Sequence, residues 1–136
     1  MNGNYLNRKG SDLMRYVGFY KEFENKATKS MKHYFYDSDY PDKAKIIDYL
    51  KNGGKILCAS TGIPKDAFTK ETIRMDEVIR KDQKYAWSNI LAHYVEKYNL
   101  RLPREFENHI LGKSDNSQLI NSDTTDDSVI LDIDRN

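Results

Sequence analysis

Cysteine is almost absent from this sequence of 136 residues, which contains only Cys58. A single thiol excludes a disulfide within the chain and a zinc site built from cysteine pairs. Cys58 lies in the strand-like apolar run Lys55–Ser60, so we expect a small buried hydrophobic side chain there. A nucleophilic or redox role would require a neighbouring base and an exposed thiolate.

Long apolar runs are also missing. No window approaches the roughly 18–20 consecutive apolar residues that a membrane-spanning helix needs. The N-terminal residues MNGNYLNRKG lack the apolar core of a signal peptide. We therefore expect a cytoplasmic protein that does not contact a membrane.

Arrangements of residues that carry out chemistry are scarce. The three histidines, His33, His93 and His109, are scattered, and none forms an i, i+4 metal pair with a third ligand. Ser60-Thr61-Gly62 follows a predicted strand but lacks the Gly-Lys-Ser/Thr ending of a phosphate-binding loop. The sequence has no dinucleotide fingerprint and no nucleophile elbow. It predicts a protein that is not an enzyme, with no catalytic residue, no metal and no cofactor.

Neither sign of charge dominates the whole chain, which carries a formal net charge of +1. This balance excludes a simple basic nucleic-acid-binding protein. The charge is unevenly distributed, because residues 113–136 hold six aspartates against Lys113 and Arg135, a sum of −4 that leaves +5 for the rest. The C-terminal part is therefore expected to be a solvated acidic tail.

Composition divides the chain into three parts. Residues 1–12 are polar with two glycines and are expected to be a flexible lead-in. Residues 13–112 carry the apolar periodicity of one folded domain. Residues 113–136 form the acidic tail, in which Val129–Ile133 could add as a terminal edge strand to this chain or to a partner.

Amphipathic periodicity predicts three helices, which span residues 42–51, 89–99 and 103–111. Asn52-Gly53-Gly54 ends the first helix, because glycine accepts the left-handed conformation of a helix C-terminus. Ser88 is placed as the N-cap of the second helix. Pro103 starts the third helix, where its missing N–H is tolerated.

Strand-like segments accompany these helices at Met14–Phe23, Lys55–Ala59 and Asp82–Trp87. Glu71–Lys81 fits either a helix or a strand with a polar hairpin. The order of elements predicts an α+β fold. We expect a small single domain with a three- to four-stranded, mostly antiparallel sheet packed against about three helices.

The predicted core is formed by apolar residues that share the inner faces of these elements. They are Val17, Phe19, Ile46, Ile47, Leu50, Leu57, Trp87, Leu91, Tyr94, Val95, Phe106 and Ile110. The ten tyrosines either rim this core or serve recognition, because a tyrosine ring buries much area while its hydroxyl still forms hydrogen bonds.

The segment KYAWSNILAHYVEKYNLRLPREFENHIL (84–111), with DYPDKAKIIDYLKNGGKILCASTGIPKD (39–66) before it, resembles bacterial immunity proteins encoded beside polymorphic or contact-dependent growth inhibition toxins. The resemblance covers residues 14–111. The matching positions are Tyr85, Trp87, Leu91, Tyr94, Val95, Tyr98, Leu102, Pro103 and Phe106. This pattern determines a fold and is not catalytic.

The resemblance implies a protein that binds and neutralises a cognate bacterial toxin domain by direct contact. It transfers no contact residue, because immunity surfaces diverge with their toxins. If the toxin is a nuclease, an acidic patch on this protein would steer association with the basic active site. We expect Asp76, Glu77 and Asp82, together with Tyr85, to contact the partner.

Two other functional classes stay open at this point. An adaptor or regulatory protein-binding module without catalysis could dock its partner through Val129–Ile133. A small ligand-binding protein could use a pocket near Tyr85, Trp87 and His93. Direct binding of nucleic acid is not expected, and the sequence leaves the oligomeric state open.

Overall fold

The computed structural model describes residues 13–113 and 127–134, which form an α+β domain. The strands of its five-stranded sheet are β1 (Leu13–Val17), β2 (Lys55–Ala59), β3 (Val78–Lys81), β4 (Tyr85–Ser88) and β5 (Ile130–Asp134). The α-helices of the described residues are α1 (Lys43–Asn52), α2 (Leu91–Tyr98) and α3 (Arg104–Leu111). The predicted fold class is confirmed, with one strand more than the sequence indicated.

The sheet order is β2-β3-β4-β1-β5, so β4 lies at the centre and β2 and β5 form the edges. Strand β1 runs parallel to β4, and the other neighbours are antiparallel. All four residues of β4 are buried. The Trp87 ring stacks on Tyr49 of α1 at 5.3 Å and meets Phe106 of α3 at 5.4 Å, so helices cover this face of the sheet.

The three predicted helices agree with α1, α2 and α3 to within two residues at each end. Ser88 ends β4 instead of capping α2, and its hydroxyl accepts a hydrogen bond from the Ile90 N–H at 3.3 Å. The first strand stops at Val17, earlier than predicted. Gly18 follows with φ +123°, a conformation that ends regular strand geometry.

The ambiguous segment 71–81 contains β3 at its end and no helix, so the strand interpretation is correct. β3 pairs with β4 through a short hairpin whose turn contains Asp82. The Asp82 carboxylate accepts the N–H groups of Lys84 and Tyr85, both at 2.8 Å. An Asx turn of this kind explains why such a polar stretch reverses the chain here.

The turn between α1 and β2 depends on Gly54, which has φ +59°. A Cβ atom at this position would lie 2.1 Å from the carbonyl oxygen of Lys81 on β3. Glycine is therefore required both by the backbone conformation and by the close approach of β3. This contact fixes where β2 begins.

Most of the predicted core is buried as expected. Residues with exposed fractions of 1% or less include Val17, Ile46, Leu50, Trp87, Leu91, Tyr94, Val95 and Phe106. Ile47 and Ile110 pack against this core while partly buried, and Phe19 is also partly buried. The prediction for Leu57 is wrong, because its exposed fraction is 57%. Cys58 is exposed as well, contrary to expectation.

The C-terminal segment contributes to the sheet. Residues 129–133, offered by the sequence as an edge strand, lie largely in β5, which pairs antiparallel with β1. Val129 is fully buried and Ile130 is 8% exposed, so this segment also fills part of the core. No helix among the described residues has both the length and the apolar character needed to cross a membrane.

Candidate partner-binding surface

Strand β2 is an exposed apolar edge. All five of its residues are exposed, and the exposed fractions of Ile56 and Leu57 are 56% and 57%. Among the strands that the structure describes, β2 pairs with β3 alone. A row of unpaired backbone groups with apolar side chains is a template for pairing with another chain.

A groove of about 710 Å³ continues from the C-terminal end of β2. One wall is the loop from Ala59 to Pro64, and the other is the segment from Thr72 to Val78. Ile63 projects from the first wall with 72% of its surface exposed. We refer to β2, Ile63 and this groove together as the β2 surface.

Backbone hydrogen bonds hold the two walls of the groove together. The Ile73 N–H donates to the Pro64 carbonyl at 2.9 Å, and the Asp66 N–H donates to the Glu71 carbonyl at 2.8 Å. Ile73 is 3% exposed and belongs to the main core. The segments that form the groove are therefore attached to the folded domain through Ile73.

Asp66 anchors the loop of the groove to α2. Its carboxylate lies 2.7 Å from His93 Nε2 and accepts the Tyr98 hydroxyl at 2.9 Å. It also accepts the N–H groups of Phe68 and Thr69, at 2.8 and 3.0 Å. The side chain is 1% exposed, so these donors replace water around a buried charge.

The electrostatics of Asp66 follow from these contacts. Burial alone raises the pKa of the carboxyl, but the hydrogen bonds from His93, two backbone N–H groups and Tyr98 outweigh it and hold the pKa well below its usual range. His93 and Asp66 are 27 positions apart in sequence, and no local motif links them. This partner of His93 was missed by sequence reasoning.

Asn89 holds the second wall of the groove in place. Its side-chain oxygen accepts the Val78 N–H at 2.9 Å, and its amide donates to the Asp76 carbonyl at 2.8 Å. The Ser88 hydroxyl donates to the Glu77 carboxylate at 3.1 Å. Ser88 and Asn89 thus fix the second wall, and Asp66 fixes the chain just after the first wall to α2, so the groove is preorganised.

The predicted acidic patch is divided in the structure. Asp76 and Glu77 line the groove just before β3, whereas Asp82 follows β3 at its other end. Asp82 accepts the Tyr49 hydroxyl at 2.6 Å and contacts His109 Nε2 at 2.7 Å. Burial opposes ionisation, but these and two backbone hydrogen bonds leave the pKa of Asp82 lowered. We therefore assign Asp82 a structural role.

Tyr85 does not reach the surface, which corrects its assignment as a partner contact. Its exposed fraction is 0%, its ring packs on Phe106 at 4.8 Å, and its hydroxyl donates to Glu105. Trp87 is equally buried, with its indole N–H bonded to the Leu50 carbonyl at 3.0 Å. Both rings belong to the core, so they cannot line the ligand pocket that the sequence suggested near Tyr85, Trp87 and His93.

Lysines concentrate at the N-terminal end of β2. Lys55 is the cross-strand partner of Lys81, and Lys51 is exposed in the last turn of α1. Within the part of the chain that the structure describes, no carboxylate pairs with any of the three. The β2 surface therefore has a positively charged end. Its other end, at the groove, combines apolar residues with charged residues of both signs.

Comparisons with known proteins give no information about the function of this chain. No protein-family model matches the sequence. No curated protein and no solved structure matches it either. Among residues 13–113 and 127–134, no group of three or more histidine, cysteine, aspartate or glutamate side chains is arranged to hold a metal ion. Among the described residues, the β2 surface is the candidate site for binding a partner.

Proposed function

We propose that this chain is an immunity protein that binds and neutralises a cognate bacterial toxin domain by direct protein–protein contact. The β2 surface is the observation that carries this proposal. It combines an apolar edge strand with a concave groove, and large exposed apolar features of this kind mark interaction sites in soluble proteins.

The rigidity of the surface supports binding. The groove walls are held by Asp66, Asn89 and Ile73, each of which is buried and contacts the domain. A preformed surface avoids much of the entropy lost when loops order on binding, so it favours high affinity. An inhibitor that must act before the toxin damages its host requires such affinity.

The resemblance at residues 84–111 supports the same function. The residues of that pattern build β4, α2 and α3, and many of them, such as Tyr94 and Phe106, are fully buried. The nine matching positions therefore describe the scaffold, and none of them lies in β2 or lines the groove. A scaffold with a variable surface suits inhibitors that follow different toxins.

The charge of the surface suggests how a toxin would be recognised. Asp76 and Glu77 at the groove would meet a basic toxin surface, and Lys55 and Lys81 would meet an acidic one. Mixed charges of this type fix orientation and accelerate association more than they add affinity. We propose a cytoplasmic encounter in which the bound toxin has its active site covered or distorted.

Co-expression tests the proposal. The open reading frame next to this gene, placed under an inducible promoter, should stop growth of a host cell, and co-expression of this chain should restore growth. Purified toxin and chain should then elute together from a sizing column at one-to-one stoichiometry. Growth inhibition that this chain does not relieve would refute the proposal.

A matched pair of variants tests the surface. Leu57→Asp combined with Ile63→Asp should abolish rescue, because charge replaces apolar contact area at the binding site. Leu131→Asp at the opposite sheet edge, where the exposed fraction is 41%, should still rescue growth. A partner that binds this surface but is harmless when expressed alone would instead indicate an adaptor module.

A further inference from the structure

The two edges of the sheet differ in a way that indicates how a partner is held. On β5 the exposed apolar residues Leu131 and Ile133 flank Asp132, which pairs with Arg15 of β1 at 2.8 Å. On β2 every residue is exposed, and Ile56, Leu57 and Cys58 follow one another without an acidic residue. β2 is therefore the edge that is open to strand addition.

Among the described residues, no carboxylate pairs with Lys55 or Lys81, which lie at one end of β2. Lys55 and Lys81 lie directly opposite each other across the β2–β3 pair, and like charges in that position destabilise a sheet. Arg80, next to Lys81, donates to the Gly53 and Asn52 carbonyls, so a further cation is fixed nearby. An acidic side chain at this end would relieve the repulsion.

The other end of β2 offers apolar space. Ala59 and Ile63 lie at the mouth of the groove, whose floor includes the buried side chain of Ile73. From Lys55 to Ala59 the strand extends about 13 Å, at about 3.3 Å per residue. One extended segment of about five residues would span the distance from the lysines to the groove.

From these features we infer that β2 binds an extended segment of the partner protein as a sixth strand. The segment carries an aspartate or glutamate beside Lys55 and Lys81 and a large apolar side chain in the groove, about four to six residues away. Main-chain hydrogen bonds supply affinity, and the lysines and the groove supply specificity. This inference deepens the proposed function, since it specifies how the toxin would be recognised.

Peptide selection tests the inference without the toxin. A library of random peptides about twelve residues long, displayed on phage, is selected against the full chain. Enriched peptides should share an acidic residue and a large apolar residue at the stated spacing. A synthetic copy of the best peptide should then bind the full chain in a fluorescence polarisation titration.

Charge variants separate the lysine end from general electrostatics. The double variant Lys55→Glu, Lys81→Glu should weaken peptide binding by about tenfold or more, because attraction at two positions becomes repulsion. The double variant Lys26→Glu, Lys45→Glu serves as the matched control, since it makes the same change in charge at two exposed lysines outside β2 and β3. Equal loss in both variants, or no loss in either, would overturn the inference.

Peptide N-methylation distinguishes strand pairing from other modes of binding. In strand pairing only alternate residues of the peptide direct their N–H groups toward β2. Methylation of one alternating set should therefore abolish binding, whereas methylation of the other set should leave it within about threefold. Equal effects of the two sets would contradict strand addition. A β2-dependent dimer of this chain in sedimentation would overturn the inference, because β2 would then bind a second copy and not a partner protein.

The outcomes also separate this inference from the proposed function. A chain that rescues cells from the toxin but binds no acidic strand peptide keeps the immunity role and loses the strand-addition mode. A chain that passes the peptide tests but relieves no toxicity keeps the binding mode and loses the immunity role. Each result therefore refers to one claim alone.

Discussion

Asp66 shows how one residue organises the candidate surface. A buried carboxylate is unfavourable unless donors replace the lost water, and Asp66 receives hydrogen bonds from His93, Tyr98 and two backbone N–H groups. The Lys97 ammonium lies 3.9 Å away and adds an attractive charge. Because these donors belong to both α2 and the loop, the carboxylate joins the groove to the helix.

Replacement of this charge should destabilise the domain. Asp66→Asn removes the charge-assisted bonds and presents an amide where only acceptors fit, so unfolding free energy should fall by about 1–3 kcal/mol. Urea titration at pH 7 measures the change. Asp37→Asn, an exposed position, is the control and should alter stability by less than about 0.5 kcal/mol.

The stabilising effect of Asp66 should also depend on pH in a definite direction. Its pKa is lowered in the folded state, so between the folded and unfolded values the unfolded chain binds more protons. The difference in free energy of unfolding between wild type and Asp66→Asn should have its full size above about pH 4 and should shrink as the pH falls further. A difference that grows on acidification would contradict this origin.

At the scale of elements, the α1–β2 turn determines how β2 meets β3. Gly54→Ala should destabilise the protein, because the new Cβ would meet the Lys81 carbonyl at 2.1 Å while φ stays at +59°. Gly112→Ala is the matched control, since Gly112 has φ +72° and open space around it. We expect Gly54→Ala to lower the free energy of unfolding by about 1–3 kcal/mol more than Gly112→Ala does, as measured by thermal denaturation. Equal losses of stability in the two variants would show that the contact with the Lys81 carbonyl has no effect on stability.

A buried residue of α1 and an exposed residue of the edge strand β2 should respond differently to the same substitution. Leu50→Ala removes a side chain with 0% exposure and should reduce unfolding free energy by about 2–5 kcal/mol. Leu57→Ala removes one that is 57% exposed and should change it by less than about 1 kcal/mol. Chemical denaturation compares the two, and a large loss at Leu57 would mean that β2 is covered in solution.

For the whole molecule, the sequence predicted what depends on neighbouring residues and failed where distant residues meet. The helices were predicted from amphipathic spacing and terminal glycines, and β2 was predicted residue for residue. Leu57 was assigned to the core because an apolar strand has the same pattern at an edge as at the centre. Tyr85 and Asp82 were assigned to the surface because tyrosine and aspartate are usually accessible, although here both are tied into the fold.

The candidate surface also depends on contacts between residues that are distant in sequence. Asp76 and Glu77 line the groove, and their contact with a partner stays a prediction, while the contact between Asp66 and His93 joins a loop to a helix across 27 positions. A charge-rich stretch such as 71–81 has no clear apolar period, so pairing with β2 and β4 determines that its end is a strand. Tertiary contacts decided these features.

The C-terminal segment provides the last test, because the sequence assigned it to an acidic tail that could end in an edge strand, whereas the structure also places part of it in the core. Val129 is fully buried and its carbonyl accepts the N–H groups of Gly18 and Phe19 at 3.0 and 2.9 Å. Val129→Asp should therefore lower unfolding free energy by at least about 3 kcal/mol, since it buries an unpaired charge. Ile133→Asp, at 40% exposure, is the control. Similar urea midpoints for both variants would show that the domain folds without this segment.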